Sequence, residues 1–237
     1  DHVGQAYGRI VGRPMTPQSD VGNAKPIDIA AQTIGAAVPC TIVMPVYNAP
    51  EEVRACIASV IKHTNLKDNQ LLVIDDGSPD PAVGPVLDSF AGTPGLTIMR
   101  SPRNLGYTKT INLGIGQAAG RDVILLNSDT VVTPRWLEGL RATAYGRPNV
   151  GTVTAMGDNA GAFSFPLHNQ KCDKPDHLTH EEYALMMVQA AVDCAAPEVP
   201  TGSGFCMYIR RAMMDACGTF DEEGFPRGYG EENDFCM

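Results

Sequence analysis

The run CTIVMPVYNAPEEVRACIASVIKHTNLKDNQLLVIDDGSPD, residues 40–80, decides the fold. Cys40 to Val46 is apolar at almost every position, which suits a strand covered on both faces rather than one with a wet side. Val53, Ile57, Val60 and Ile61 then recur at helical spacing between Glu51 and His63. Leu71 to Ile74 is a second buried strand, and it stops abruptly on Asp75-Asp76-Gly77-Ser78. Strand, helix, strand with a long crossover means two parallel neighbours in one sheet.

The alternation continues outward from this unit. A helical stretch near 81–90 leads to a short strand at Leu96–Met99, and residues 106–119 read as a helix again. Asp122–Leu126 is a fourth apolar strand, ending in Asn127-Ser128-Asp129. The fold class is therefore α/β, a Rossmann-like and mostly parallel sheet with helices on both faces. Beyond Asp129 the pattern becomes mixed. Pro134 opens a helix to about Tyr145, with the proline in its first turn. A strand follows at Val150–Ala155, then an irregular loop, Gly157-Asp158-Asn159-Ala160-Gly161. Thr179 and Glu182 have the residue types of a capping box, so a helix runs from there to about Val192. A strand at Phe205–Ile209 and a helix at Arg210–Cys217 lead to the closing phrase GYGEENDFCM, residues 228–237. Residues 1–37 are rich in Gly, Pro, Ala and Gln without periodicity and read as a leader or linker. Residues 38–237 form one domain, and a chain opening on Asp1 reads as a segment of a longer protein.

Composition narrows the function classes. The formal charge is −9 and no Lys/Arg cluster occurs, which excludes a nucleic-acid binder that works by phosphate neutralisation. No apolar run approaches the ~20 residues of a membrane-spanning helix. Seven cysteines without a CxxC pair fit neither a structural zinc site nor a disulfide framework. They read as small buried hydrophobes in a reducing compartment.

Two tempting patterns carry no site. Gly114-Ile-Gly116-Gln-Ala-Ala119 matches a dinucleotide fingerprint as a string, but it ends a helix instead of opening one after a strand. His177 and His180 have no clear third ligand and read as surface residues. The polar strand ends matter more, because ligands of open parallel sheets bind beyond the carboxyl ends of the strands. Tyr47-Asn48, Asp75-Asp76 and Asn127-Ser128-Asp129 all fall there. Two adjacent carboxylates at a strand tip repel unless something engages them. An oxygen-rich tip also suits Mg2+ or Mn2+ shared with a diphosphate, which lets an acidic chain bind an anion. No GxxxxGK[ST] loop occurs, which argues against an ATPase or GTPase of that type.

The blocks TIVMPVYNAPEEVRACIASVIKHT, LLVIDDGSPD, RNLGYTKTINLGI, VILLNSDTVVTPRWLEGL and GYGEENDF occur in an order and spacing that resemble family 2 glycosyltransferases. The resemblance covers about residues 39–237. The block Asn104-x-Gly106-x5-Asn112-x-Gly114 and the phrase LLNSDT look most similar to bacterial polysaccharide-elongating branches, rhamnosyltransferases among them. It implies a GT-A fold and an inverting, metal-dependent transfer from a UDP- or dTDP-sugar to a glycan or lipid-linked glycan. It also implies action in the cytoplasm at the inner face of the plasma membrane, with peripheral membrane association through other parts of the chain.

By that resemblance Pro45 and Tyr47 lie against the nucleotide base, and Asp75 or Asp76 binds base or ribose, with Asn104 and Asn127 nearby. Asp129 holds the last position of the DxD motif and coordinates Mn2+ or Mg2+, while Asn127 replaces the first Asp of many members. Glu232 is the general base, with Glu231 and Asp234 holding the acceptor or the loop. Asp158, Asn159, Gly202 and Ser203 line the sugar and acceptor pocket. Acidic residues in a helix's first turn are also favoured by its dipole alone. A sugar nucleotidyltransferase and an inactive glycan- or nucleotide-binding module are the alternatives.

Overall fold

The computed structural model describes residues 38–191 and 196–237. The leader expected at 1–37, the expected helix end at Val192 and Cys194 lie outside these residues. The central sheet has six strands: β1 (Cys40–Val46), β2 (Gln70–Asp75), β3 (Leu96–Arg100), β4 (Asp122–Leu126), β5 (Thr152–Thr154) and β6 (Cys206–Ile209). Their order is β3-β2-β1-β4-β6-β5. The first four are mutually parallel where they pair, and β6 runs antiparallel to both β4 and β5.

Around the sheet lie α1 (Pro50–His63), α2 (Val83–Asp88), α3 (Tyr107–Gln117), α4 (Trp136–Gly146), α5 (His180–Ala191), α6 (Arg211–Cys217) and α7 (Glu231–Cys236). Alternate strand residues feed two cores. Ile42, Met44, Leu71, Val73, Ile124 and Leu126 pack with α1, α2 and α4 on one face. Val43, Leu72, Ile74, Val123 and Leu125 pack with α3, α6 and α7 on the other. Both faces are thus covered, which is why the strands read as continuous apolar runs.

The connections place the site. From β1 the chain steps outward through β2 to β3, then returns through α3 to β4 on the opposite side of β1. The strand order therefore reverses between β1 and β4, and in such sheets that is where a crevice forms at the carboxyl ends. Pro45 deepens it. The Val46 carbonyl accepts the Asp76 N–H, so Val46 faces β2 and its neighbour Pro45 faces β4. Proline has no N–H to continue that ladder, and pairing of β1 with β4 ends at Val43–Leu125.

The elements fall close to their expected bounds, with informative differences. Pro134 does not open α4, because Arg135 sits in the left-handed region (φ 66°) and the helix starts at Trp136. The Trp136 indole N–H donates to Thr64 Oγ1 at 3.0 Å, tying that start to the end of α1. The capping box forms: Glu182 N–H donates to Thr179 Oγ1 at 3.2 Å, and Thr179 N–H donates to Glu182 Oε2 at 2.8 Å. Cys40, Cys56, Cys172 and Cys206 are buried as expected, but Cys217 is exposed and Cys236 half-buried. Cys217 ends the short helix α6 just before Gly218. No helix among the described residues is long and apolar enough to cross a membrane.

Candidate active site

The crevice is built from four strand ends. After β1, Tyr47 is half exposed, and Asn48 and Ala49 both adopt the left-handed conformation (φ 63° and 54°). Such backbone is strained for residues with a Cβ, and here it is held from both sides. Asn48 N–H donates to Ser78 Oγ at 2.9 Å, and Asp80 N–H donates to Asn48 Oδ1 at 3.1 Å. Asn48 therefore locks the loop after β1 to the loop after β2. The sequence places Asn48 at a polar strand end without assigning it a role, because that role is visible only across 30 residues.

The two carboxylates after β2 have separate tasks, which resolves the repulsion expected between them. Asp76 is 4% exposed and receives the N–H groups of Leu105 and Gly106 at 2.7 and 3.0 Å, one on each oxygen. It anchors the start of α3. Asp75 is half-buried; its Oδ1 accepts the Ser78 N–H at 3.0 Å, and among the described residues Oδ2 has no partner. Asn104 is exposed on the loop that Asp76 holds, against the backbone of Gly77.

After β4, Asn127 N–H donates to the Phe205 carbonyl at 2.8 Å, which keeps the strand end registered on the start of β6. Asn127 and Ser128 are half-buried and Asp129 is exposed. Among the described residues no group of three or more His, Cys, Asp or Glu side chains could hold a metal. One carboxylate with amide and hydroxyl oxygens beside it is a hard, incomplete donor set. It fits a divalent cation that takes much of its coordination from a diphosphate.

The acidic phrase reaches this edge through α7. Phe235 is buried and stacks on Phe220 with ring centroids 4.6 Å apart, so the helix docks on the second core. Glu232 Oε1 accepts the Gly204 N–H at 2.9 Å, just before β6. Gly202 and Ser203 fall between this contact and the end of β5, where Ser203 N–H donates to Thr154 Oγ1 at 2.9 Å. Thr201 Oγ1 donates to Asn233 Oδ1 at 2.7 Å. Glu231 is only 2% exposed, and among the described residues its Oε2 meets no hydrogen-bond donor. Burial above all, and then the negative charge of Glu232, hold its carboxyl above the ordinary range, against N–H donors from its own backbone and Gly230. Asp234 is exposed and lies two residues beyond Glu232, about 200° round the helix. Asp158 and Asn159 are exposed on the loop after β5, along the same edge.

Tyr107 joins the two halves. Its hydroxyl lies 3.5 Å from the Gly204 carbonyl. Burial, together with the charges of Glu232, Glu231 and Asp129, raises its proton affinity, so the phenol stays neutral. One side chain thus feels both the β4 carboxylate and the α7 pair. Sequence reasoning missed it, because a tyrosine at the start of a helix reads as packing.

The Asn-Gly block explains how α7 is held. Gly106 has φ 90°, and a Cβ there would lie 2.4 Å from the Pro226 carbonyl oxygen. Asn112 Nδ2 donates to the Phe220 carbonyl and to Glu222 Oε1, while Phe220 N–H donates to Asn112 Oδ1. Thr108 Oγ1 donates to the Phe225 carbonyl. Gly106, just before α3, and Thr108 and Asn112 within it thus clamp the segment 220–226 that leads into α7. Gly114 serves the sheet, since a Cβ there would meet Val43 Cγ1 at 2.3 Å. This confirms the dinucleotide-like string as a helix end packed on β1.

The family 2 model, described as glycosyl transferase family 2, matches residues 41–218. The chain belongs to that family. The match stops before the acidic phrase, so the placement of Glu231 and Glu232 rests on the contacts above. An N-acetylglucosaminyltransferase of Sinorhizobium fredii is 33% identical over 206 residues, covering 84% of this family 2 chain and 48% of that protein. The chain thus spans about half the length of such a relative. Among solved structures, the mannosyltransferase PcManGT from Pyrobaculum calidifontis in complex with GDP-Man and Mn2+ superposes with TM-score 0.56 at 16% identity, over 82% of this chain and 49% of that one. Staphylococcus aureus TarS 1–349 in complex with UDP-GlcNAc gives TM-score 0.58 at 19% identity, over 84% and 52%. At these identities the likeness is one of fold, and that fold is the GT-A arrangement expected.

Proposed function

We propose that this chain carries the catalytic domain of an inverting glycosyltransferase that moves a sugar from a nucleoside diphosphate donor to a hydroxyl of a glycan acceptor. The observation that carries this reading is that Tyr107 stands against Glu232 at Gly204 and against Glu231 at Gly228, and feels the charge of Asp129 from the end of β4. A donor diphosphate and an attacking hydroxyl need such opposite demands met within one crevice. On the donor side, Tyr47 offers a half-exposed ring beside Pro45 for the base, and Asp75 keeps an oxygen for base or ribose. Asp76 acts through the loop it anchors, which carries Asn104. Asp129, with the amide of Asn127 beside it, would hold Mn2+ or Mg2+, whose chemistry is to neutralise a leaving diphosphate.

On the acceptor side Glu232 removes the proton of the attacking hydroxyl. Its hydrogen bond from Gly204 fixes one oxygen and leaves the other for the acceptor. Gly202, Ser203, Asp158 and Asn159 border the sugar and acceptor space, and Asp234 serves the loop or the acceptor from the outer side of α7. The name of the Sinorhizobium relative favours UDP-N-acetylglucosamine over a rhamnose donor as the first to test. Bacterial surface polysaccharide is the pathway we assign, at the cytoplasmic face of the membrane.

The test is nucleoside diphosphate release from a panel of UDP- and dTDP-sugars with Mn2+ or Mg2+. Asp129→Ala and Glu232→Gln should each lower turnover at least about 100-fold. Turnover that ignores both substitutions would overturn the assignment. Pyrophosphate release from a nucleoside triphosphate and a sugar phosphate would instead identify a nucleotidyltransferase.

A further inference from the structure

We infer that Glu231 works as a neutral carboxylic acid that donates its proton in a hydrogen bond to Glu232, a positioning residue that keeps the base charged and aimed. This rests on the reading of Glu232 as the base. The geometry comes first. Glu231 is the more buried of the two, 2% exposed, and its Oε2 meets no donor among the described residues. A buried carboxylate oxygen without a donor is costly. A proton on that oxygen removes the problem, because the acid then becomes a donor itself. The acceptor beside it is Glu232, the next residue on α7, and Tyr107 stands against both: a Cβ on Gly228 would lie 3.3 Å from Glu231 Oε1 and 3.5 Å from Tyr107 Cδ1, and one on Gly204 2.7 Å from Glu232 Oε1 and 2.6 Å from Tyr107 Oη.

The backbone N–H groups of Glu231 and Gly230 favour its charge, but burial and the titratable groups facing it oppose one. Glu232 stands beside it on α7, Tyr107 faces it from α3, and Asp129 brings its charge to Tyr107 from the end of β4. All three are acids, and among these groups no cation offsets a charge on Glu231. Two adjacent carboxyls in such a setting share one negative charge between them. The more exposed Glu232, already fixed by the Gly204 N–H, is the one that carries it. In the transfer the acceptor O–H bond breaks and its proton goes to Glu232. The new bond forms at the anomeric carbon, and the diphosphate leaves with the electron pair of the old one. Glu231 keeps its proton throughout.

Glutamine at position 231 mimics the neutral acid, since its amide donates where the carboxylic acid did. Glu231→Gln should keep kcat within about 3-fold and leave the acidic limb of the kcat–pH profile in place. Glu231→Ala removes the donor, so the charged form of Glu232 is less favoured and that limb moves to higher pH. Its kcat should fall about 10–100-fold, with affinity for UDP unchanged. Carboxyl carbon NMR of Glu-labelled protein gives a readout free of turnover. The resonance lost in Glu231→Gln should titrate above the ordinary Glu range in the wild type. The inference fails if Glu231→Gln loses activity as completely as Glu232→Gln, if Glu231→Ala leaves the limb unmoved, or if that resonance titrates as an ordinary carboxylate. A wild type without turnover but with the raised titration would sink the transferase reading and leave the pair standing.

Discussion

At the scale of single residues, the crevice separates carboxylates with an oxygen unengaged among the described residues from carboxylates that hold loops. Asp76 belongs to the second group, because both its oxygens are taken by Leu105 and Gly106. Asp76→Ala leaves two N–H groups without their charged acceptor, so it should lower unfolding free energy by about 2–3 kcal/mol, read from urea denaturation. Asp75→Ala should barely change stability and should instead weaken UDP binding, measured by calorimetry. Equal effects of the two substitutions would mean that the division of labour is wrong. The cysteines make a second check. Burial pushes the Cys206 thiol up to about 12, and Cys40 likewise to about 12, so both stay protonated at neutral pH. Native alkylation followed by peptide mass mapping should label Cys217 fast and leave Cys40, Cys56 and Cys206 unlabelled until denaturant is added.

At the scale of elements, α3 decides whether α7 is in place. It grips the 220–226 segment through Asn112, Thr108 and the bare backbone of Gly106. Asn112→Ala should therefore lower kcat by about 10-fold or more while UDP affinity stays within 2-fold, if the clamp serves the proposed base Glu232 and not the nucleotide. Loss of UDP affinity instead would show that α3 acts mainly through the Asp76 loop. Gly106→Ala combines a left-handed backbone, unfavourable by roughly 1–3 kcal/mol, with a direct clash on Pro226. Its effect should exceed that of Asn112→Ala in both thermal stability and kcat.

At the scale of the whole molecule, the sheet has a working edge and a structural edge. Asp122 starts β4 at the edge opposite the crevice and is 3% exposed. It accepts the Tyr145 and Tyr208 hydroxyls and the Arg211 N–H, which joins α4, β6 and α6. Asp122→Ala should lower stability by about 3 kcal/mol and Tm by roughly 6–12 °C. At a temperature where the variant remains folded, its KM and kcat should match the wild type. The β-α-β alternation, the double-sided burial and the three polar strand ends were legible in the chain because each follows from local periodicity. Local periodicity does not single out Glu232 or Asp129; their candidacy comes from the resemblance of their blocks to family 2 glycosyltransferases. The tasks of Asp75 and Asp76 could not be told apart, since they depend on which one meets the backbone at Leu105. Tyr107, Asn48 and Asn112 act on partners 97, 30 and 108 residues away, beyond the reach of any local pattern. The sequence by itself determined the layers and the edge where chemistry could occur, through hydrophobic period and turn residues. Only tertiary packing decided which carboxyl is buried and which faces the crevice, because burial and proximity set the charge of a carboxylate, and both are properties of the folded chain.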